Sequence, residues 1–169
     1  FVSKNKDLFT CDMLFSADGL QWQADEAMMV MGLKGLVGIE IELQGSRGDL
    51  HSGLHGGAIQ NPIMALSHLI ASMKNEEGKI TVDGFYNDVI ELLEDEKKEI
   101  AAVPYDEDGY KIELGVSELF GEPGYSTRER LWVRPTLDLN GIWGGYQGEG
   151  SKTVHPSKAH AKITCRLVA

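Results

Sequence analysis

Two histidines stand in the decapeptide GDLHSGLHGG, which runs from Gly48 to Gly57. On a helix, His51 and His55 would share one face and offer two metal ligands, but the surrounding glycines disfavour a helix. A zinc-protease helix also requires Glu after the first histidine, and here Ser52 follows it. Two other interpretations remain: a loop with polar surface histidines, or a loop that presents an imidazole to a substrate carbonyl.

The last of these interpretations, a loop that presents an imidazole to a substrate carbonyl, gives the residues around His51 a role. Glycines let a backbone approach a substrate closely, and the carboxylate of Asp49 is near enough in sequence to orient the imidazole ring. An imidazole N–H that points at a developing oxyanion contributes about 3 kcal/mol to transition-state stabilisation.

Two further charged residues are candidates for chemistry. Asp18 precedes Gly19, a pair that usually forms a turn, although its carboxylate can also serve a reaction. Arg134 precedes Pro135; its planar guanidinium suits a carboxylate, while a solvated surface position is the alternative. The sequence contains no Cys-x-x-Cys, Gly-x-Ser-x-Gly or His-x-Asp motif. Residues alone therefore support a binding or assembly domain with one or two candidate active groups.

The elements that position these residues form a recognisable order. Residues 35–44 alternate apolar and polar positions with a period of two, which predicts a strand with one apolar and one acidic face. Asn61 and Pro62 predict the start of a helix, and two more strands are predicted at 136–140 and 159–168. This order predicts an α+β domain, in which helices pack on one face of an antiparallel sheet with exposed, pairing-competent edges.

Residues from about 80 to 130 differ in character and are interpreted as a partly helical insertion. An acidic helix is predicted over 83–103, followed by a loop-rich tract with several Gly and Pro. A second, short helix is predicted over 126–134, because Ser126 is a good N-cap.

Composition limits the classes of function. The net charge is −10, and no more than two Lys or Arg are adjacent, which disfavours a nucleic-acid partner. No apolar run approaches the roughly 18 residues of a membrane span, and no signal-peptide pattern is present. Two cysteines, Cys11 and Cys165, make a poor disulfide framework, so free thiols in the cytoplasm are expected. From Phe1 and Ala169 at the two ends, we expect a piece of a longer protein.

Three stretches together resemble the M20 family of zinc metallopeptidases, and its carnosinase-like dipeptidase branch most of all. They are SADG, GLKGLVGIEIELQGSRGDLHSGLHGG and RLWVRPTLDLNGIWGGYQGEGSKTVHPSKAHAKITCRLV. The resemblance implies a catalytic domain with two zinc ions and an inserted dimerisation, or lid, domain, which is a two-layer, ferredoxin-like sandwich. Residues 1–32 would then be the tail of the catalytic domain and a linker. Residues 33–169 would be the lid, cut short at its C-terminal end.

The resemblance also implies roles for individual residues. His51 matches a histidine that reaches across the dimer into the partner's active site and stabilises the oxyanion. Arg134 matches an arginine that holds the substrate's terminal carboxylate, and Thr153 lies in a segment that lines the substrate site. Asp18 matches a zinc ligand. His55 inherits no role.

The remaining zinc ligands and the general base of the family are absent from this sequence. Asp18 alone cannot hold two zinc ions, so tight zinc binding by this chain is not expected. The resemblance therefore implies an inactive part of a homodimeric enzyme that hydrolyses a dipeptide or short peptide amide. A dimerisation module without activity, or the lid of an M20 deacylase or carboxypeptidase, is the alternative. His155, at a position where the family often has Ile, gains no ligand role from the resemblance.

Overall fold

The structure is a computed structural model that describes residues 1–14 and 29–168. The chain divides into two compact units, Phe1–Leu33 and Lys34–Ala169. In the first unit, a 3-10 turn over Val2–Lys4 precedes the short helix α1 (Lys6–Phe9). Asp18, the predicted zinc ligand, lies outside the described residues.

The second unit contains five strands and five helices among its described residues. In chain order they are β1 (Gly35–Gln44), β2 (Leu50–His51), α2 (Ser52–His55), α3 (Pro62–Ala71), α4 (Glu94–Ala102), α5 (Glu107–Leu114), α6 (Thr127–Trp132), β3 (Thr136–Gly144), β4 (Val154–His155) and β5 (Lys158–Leu167).

Strand β5 is the centre of a three-stranded antiparallel sheet in the order β1-β5-β3. The register pairs Gly35 with Leu167 at one end of the sheet and Gln44 with Lys158 at the other. Beyond that second end, β2 and β4 form a separate two-stranded antiparallel pair. The predicted α+β architecture with an antiparallel sheet is confirmed, and the two short strands extend it on the side where β1 ends.

The apolar face of β5 is the core of the domain. Two adjoining clusters cover it, and their buried members are Leu66, Ala159 and Ala161 in one, and Ile80, Leu137, Ile163 and Cys165 in the other. Helix α3 supplies Leu66 to the first cluster, while Phe85 and Tyr86 pack against the second. Small alanines on β5 allow the helix to lie close to the strand.

Helix α3 begins where the sequence predicted. The Oδ1 atom of Asn61 accepts a hydrogen bond of 2.9 Å from the Ile63 N–H, and Pro62 occupies the first helical position. An N-cap of this kind satisfies a backbone donor that the helix itself cannot, which is worth about 1 kcal/mol.

The insertion is partly helical, as predicted, but its first helix is shorter than predicted. Helix α4 starts at Glu94 and not at Asp83, because the preceding segment folds into successive turns around Gly84, whose φ is +77°. Those turns carry Phe85 and Tyr86 onto the core. The predicted cap of α6 is confirmed, since the Ser126 hydroxyl accepts a 3.3 Å hydrogen bond from the Glu129 N–H.

The outer face of the sheet carries paired charges. The carboxylates of Glu42 and Glu40 lie 2.7 Å and 3.9 Å from the ammonium groups of Lys158 and Lys162 on the neighbouring strand. These cross-strand pairs are exposed and contribute little each. Within residues 1–14 and 29–168, no helix combines the length and apolarity that crossing a membrane requires.

Candidate functional site

His51 and Thr153 come together where β2 meets β4. The two strands place His51 opposite Val154, and the Thr153 Oγ1 atom lies 3.1 Å from the His51 Nε2 atom. The other ring nitrogen, Nδ1, accepts a 3.1 Å hydrogen bond from the Gly53 backbone N–H. A neutral imidazole that accepts at Nδ1 carries its proton on Nε2. In this tautomer the Nε2–H of the exposed His51 ring donates to the Thr153 hydroxyl, which fixes the direction of the ring.

Asp49 does not orient His51, contrary to the expectation from sequence. Its Oδ1 atom accepts hydrogen bonds from both the Ser157 N–H, at 2.8 Å, and the Ser157 hydroxyl, at 2.9 Å. These two donors lower the pKa of the Asp49 carboxyl. Asp49 thus links the start of β2 to the turn between β4 and β5. It supports the site by holding these two segments together.

The two histidines of the opening motif have different environments. His55 is exposed at the end of α2, whereas His51 is held on both ring nitrogens. Among the described residues no group of three His, Cys, Asp or Glu side chains could hold a metal ion. This part of the chain therefore does not fit the dinuclear metal centre that the family resemblance implies.

His155 is a buried imidazole next to this site. It is only 4% exposed, and its Nδ1 atom has no hydrogen-bond partner among the described residues. A buried polar atom without a partner costs about 1–3 kcal/mol.

Replacing His155 with isoleucine is expected to raise the free energy of unfolding by about 1 kcal/mol, because an apolar side chain removes this cost. His155→Asn keeps a buried polar group in a smaller side chain and is the matched control, which should lower stability. Urea unfolding measures both variants. A His155→Ile variant less stable than the wild type by 1 kcal/mol or more would contradict the assignment.

Arg134 is buried and fully engaged. Its guanidinium makes a two-pronged contact with the Glu122 carboxylate, through Nε at 2.9 Å and through a terminal nitrogen at 2.8 Å. The other terminal nitrogen lies 3.1 Å from Glu91, and the rings of Tyr125 and Tyr86 flank the cation at 4.1 Å and 5.3 Å. The hydrogen bonds that Arg134 donates to the Glu122 carboxylate raise the pKa of Arg134. The arginine thereby joins two segments of the insertion, residues 86–91 and 122–125, to the start of β3.

A lysine completes this junction. The Nζ atom of Lys34 donates to the carbonyl oxygens of Arg130 and Arg134, at 3.0 Å and 2.6 Å. Burial, together with the nearby charge of Arg166, lowers the pKa of Lys34 to about 8. The end of α6, the start of β3 and the residue before β1 therefore meet at one point.

His51 and Arg134 lie at opposite ends of the sheet. Arg134 precedes the end of β3 that pairs with Arg166, whereas His51 and Thr153 lie beyond the end where Gly144 pairs with Ala159. Eight residue steps of about 3.3 Å separate those ends, or about 26 Å. A dipeptide spans only about 7 Å. One chain therefore cannot place His51 and Arg134 on the same dipeptide.

The sequence did not single out several residues that build these arrangements. The contact between Gly53 and His51 could have been predicted, because Gly53 follows His51 by two positions and a local turn can bring its backbone N–H to the imidazole. Glu122 could not, because a turn and 12 positions separate it from Arg134.

Comparison with known proteins places these observations in context. A model of the peptidase dimerisation domain, M20_dimer, matches residues 31–169. The human Beta-Ala-His dipeptidase is 30% identical over 169 residues, which is 99% of this chain and 33% of that protein. The Cys-Gly metallodipeptidase dug1 of Schizosaccharomyces pombe is 31% identical over 142 residues, 83% of this chain and 30% of that protein. The chain thus spans about a third of the length of these relatives.

Solved structures show the same likeness. An M20 family metallo-carboxypeptidase from Sulfolobus solfataricus superposes with a TM-score of 0.72 at 36% identity, covering 82% of this chain and 36% of the other. Human carnosine dipeptidase 1 superposes with a TM-score of 0.70 at 30% identity, covering 80% and 29%.

Proposed function

The chain belongs to the M20 peptidase dimerisation domain family, and on this premise we propose that it is the dimerisation, or lid, domain of a longer metallopeptidase. That enzyme hydrolyses a dipeptide or a short peptide amide and acts as a homodimer. Relatives named as dipeptidases in human and in yeast support the substrate class. Residues 1–32 then lead from the catalytic domain into the lid, which begins at residue 33.

The separation of His51 from Arg134 is the observation that carries the proposal. Both residues can act on one small substrate only if one comes from each subunit. In the dimer, His51 and Thr153 of one subunit reach the active site of its partner. When substrate binds, the Nε2–H of His51 donates to the carbonyl oxygen of the scissile amide instead of to the Thr153 hydroxyl, and this hydrogen bond strengthens as negative charge develops on that oxygen.

Arg134 is the proposed holder of the substrate's terminal carboxylate. Glu122 is nearly buried, with a side chain only 10% exposed, whereas the Glu91 side chain is 65% exposed. A substrate carboxylate therefore binds Arg134 by taking the place of Glu91, while Glu122 stays in position.

Zinc is the proposed metal, with Asp18 as one ligand and the other ligands outside this chain. When bound, zinc supplies Lewis-acid chemistry to the longer enzyme. A cytoplasmic location is proposed from the thiols, since both cysteines are free among the described residues.

Self-association is the property that this chain can be tested for directly. Both outer strands of the described sheet, β1 and β3, have unpaired edges that a second copy can use. Light scattering across a concentration series is expected to give twice the mass of 18.6 kDa. A strict monomer at the highest concentration would contradict the assignment of a dimerisation domain.

A further inference from the structure

We propose that Gly53 is a positioning residue, whose backbone N–H fixes the proton of His51 on Nε2 and whose missing side chain makes room for the ring. This inference rests on the proposed function of His51 and names the element that prepares it. Gly53 touches no substrate and acts only through the imidazole.

The hydrogen bonds to the His51 ring determine which of its nitrogens carries the proton. Only two hydrogen-bond partners hold the His51 ring: the Gly53 N–H at Nδ1, and the Thr153 hydroxyl at Nε2, both at 3.1 Å among the described residues. A hydroxyl can donate or accept, so Thr153 accommodates either tautomer of the ring. A backbone N–H can only donate. Gly53 therefore decides the tautomer, and Thr153 adapts to it.

The His51 ring lies against Gly53 and leaves no room there for a side chain. A Cβ atom added at Gly53 would lie 2.9 Å from Cε1 and 3.2 Å from Nδ1 of His51. The first distance is shorter than real Cβ contacts, so an alanine at this position pushes the ring aside. The backbone of Gly53, in the short helix α2, is not in the left-handed region, so the backbone itself tolerates alanine there. The requirement for glycine comes from the imidazole.

The segment before β2 offers a matched control, Gly48. A Cβ atom at Gly48 meets nothing within 4 Å, and the backbone there is also outside the left-handed region. Gly48→Ala therefore makes the same chemical change, three positions before His51, without approaching the ring.

The tautomer is read by nitrogen-15 NMR of histidine-labelled chain, since protonated and bare ring nitrogens have well separated shifts. The wild type and Gly48→Ala are expected to show His51 protonated on Nε2, and Gly53→Ala to show a mixture of tautomers. The wild-type spectrum needs no variant, so an unfolded Gly53→Ala variant does not leave the proposal untested. Protonation of wild-type His51 on Nδ1 would overturn it.

Kinetics of the longer enzyme give the second readout. Gly53→Ala is expected to lower kcat by about 10²-fold with little change in KM, because a displacement of about 1 Å at a reacting group has this effect. Gly48→Ala should leave kcat unchanged. If Gly53→Ala alters the tautomer but not kcat, the proposed role of His51 fails while its positioning by Gly53 stands. If neither changes, the positioning role of Gly53 is overturned.

Discussion

Arg134→Ala is expected to lower the free energy of unfolding of this chain by about 3 kcal/mol, because the substitution leaves the buried carboxylate of Glu122 without a partner. The side chains of the pair are only 7% and 10% exposed, and their two-pronged contact lies beside the Tyr125 ring. Two segments of the insertion, residues 86–91 and 122–125, lose their attachment to β3 at once. The loss is measured by urea unfolding of the wild type and the variant.

A surface pair provides the control for Arg134. Lys158 and Glu42 lie 2.7 Å apart, but their side chains are 45% and 49% exposed. Lys158→Ala is expected to cost less than about 1 kcal/mol, as exposed ion pairs usually do. Similar losses for Arg134→Ala and Lys158→Ala would show that the Arg134 cluster does not hold the insertion.

The proposed carboxylate-binding role of Arg134 is separable from its structural role. Arg134→Lys keeps the charge but loses the planar fork. In the longer enzyme, this variant is expected to raise KM for a substrate with a free terminal carboxylate more than for its amidated analogue. Equal effects on the two substrates would leave Arg134 with the structural role alone.

His51→Ala in the longer enzyme is expected to lower kcat by about 10²–10³-fold, the usual effect of removing one donor to an oxyanion. KM should change little, because the hydrogen bond is made mainly in the transition state. His55→Ala is the matched control, since His55 lies four positions from His51, at the end of α2, and is exposed. A His51→Ala variant with unchanged kcat would remove His51 from the mechanism.

Much of the fold could be predicted from the sequence because its signals are local. The alternation in β1, the Asn61 cap of α3 and the Ser126 cap of α6 each depend on residues within a few positions. The resemblance to the M20 family is confirmed, since the matching family model covers residues 31–169 and so spans the two longer of the three stretches that suggested it. The predicted start of the helix over 83–103 was wrong, because packing of Phe85 and Tyr86 against the core outweighed helical periodicity, and the helix forms only over Glu94–Ala102.

The site was harder to predict because its contacts join distant parts of the chain. The structure gives His51 and His55 different environments, and the partner of Asp49 is Ser157, which lies 108 positions away. The contact between His51 and Thr153 spans 102 positions. No local pattern shows either pairing, or that Arg134 lies at the far end of the sheet from His51.

The central claim is that His51 serves the active site of the partner subunit, and co-expression of two variants of the longer enzyme tests it most directly. His51→Ala and Asp18→Ala should each be nearly inactive alone. In a mixed dimer, the active site with an intact Asp18 receives His51 from its partner. Because half of the dimers are mixed and each has one complete site, activity should return to about a quarter of the wild type. A mixture no more active than the separate variants would contradict the claim.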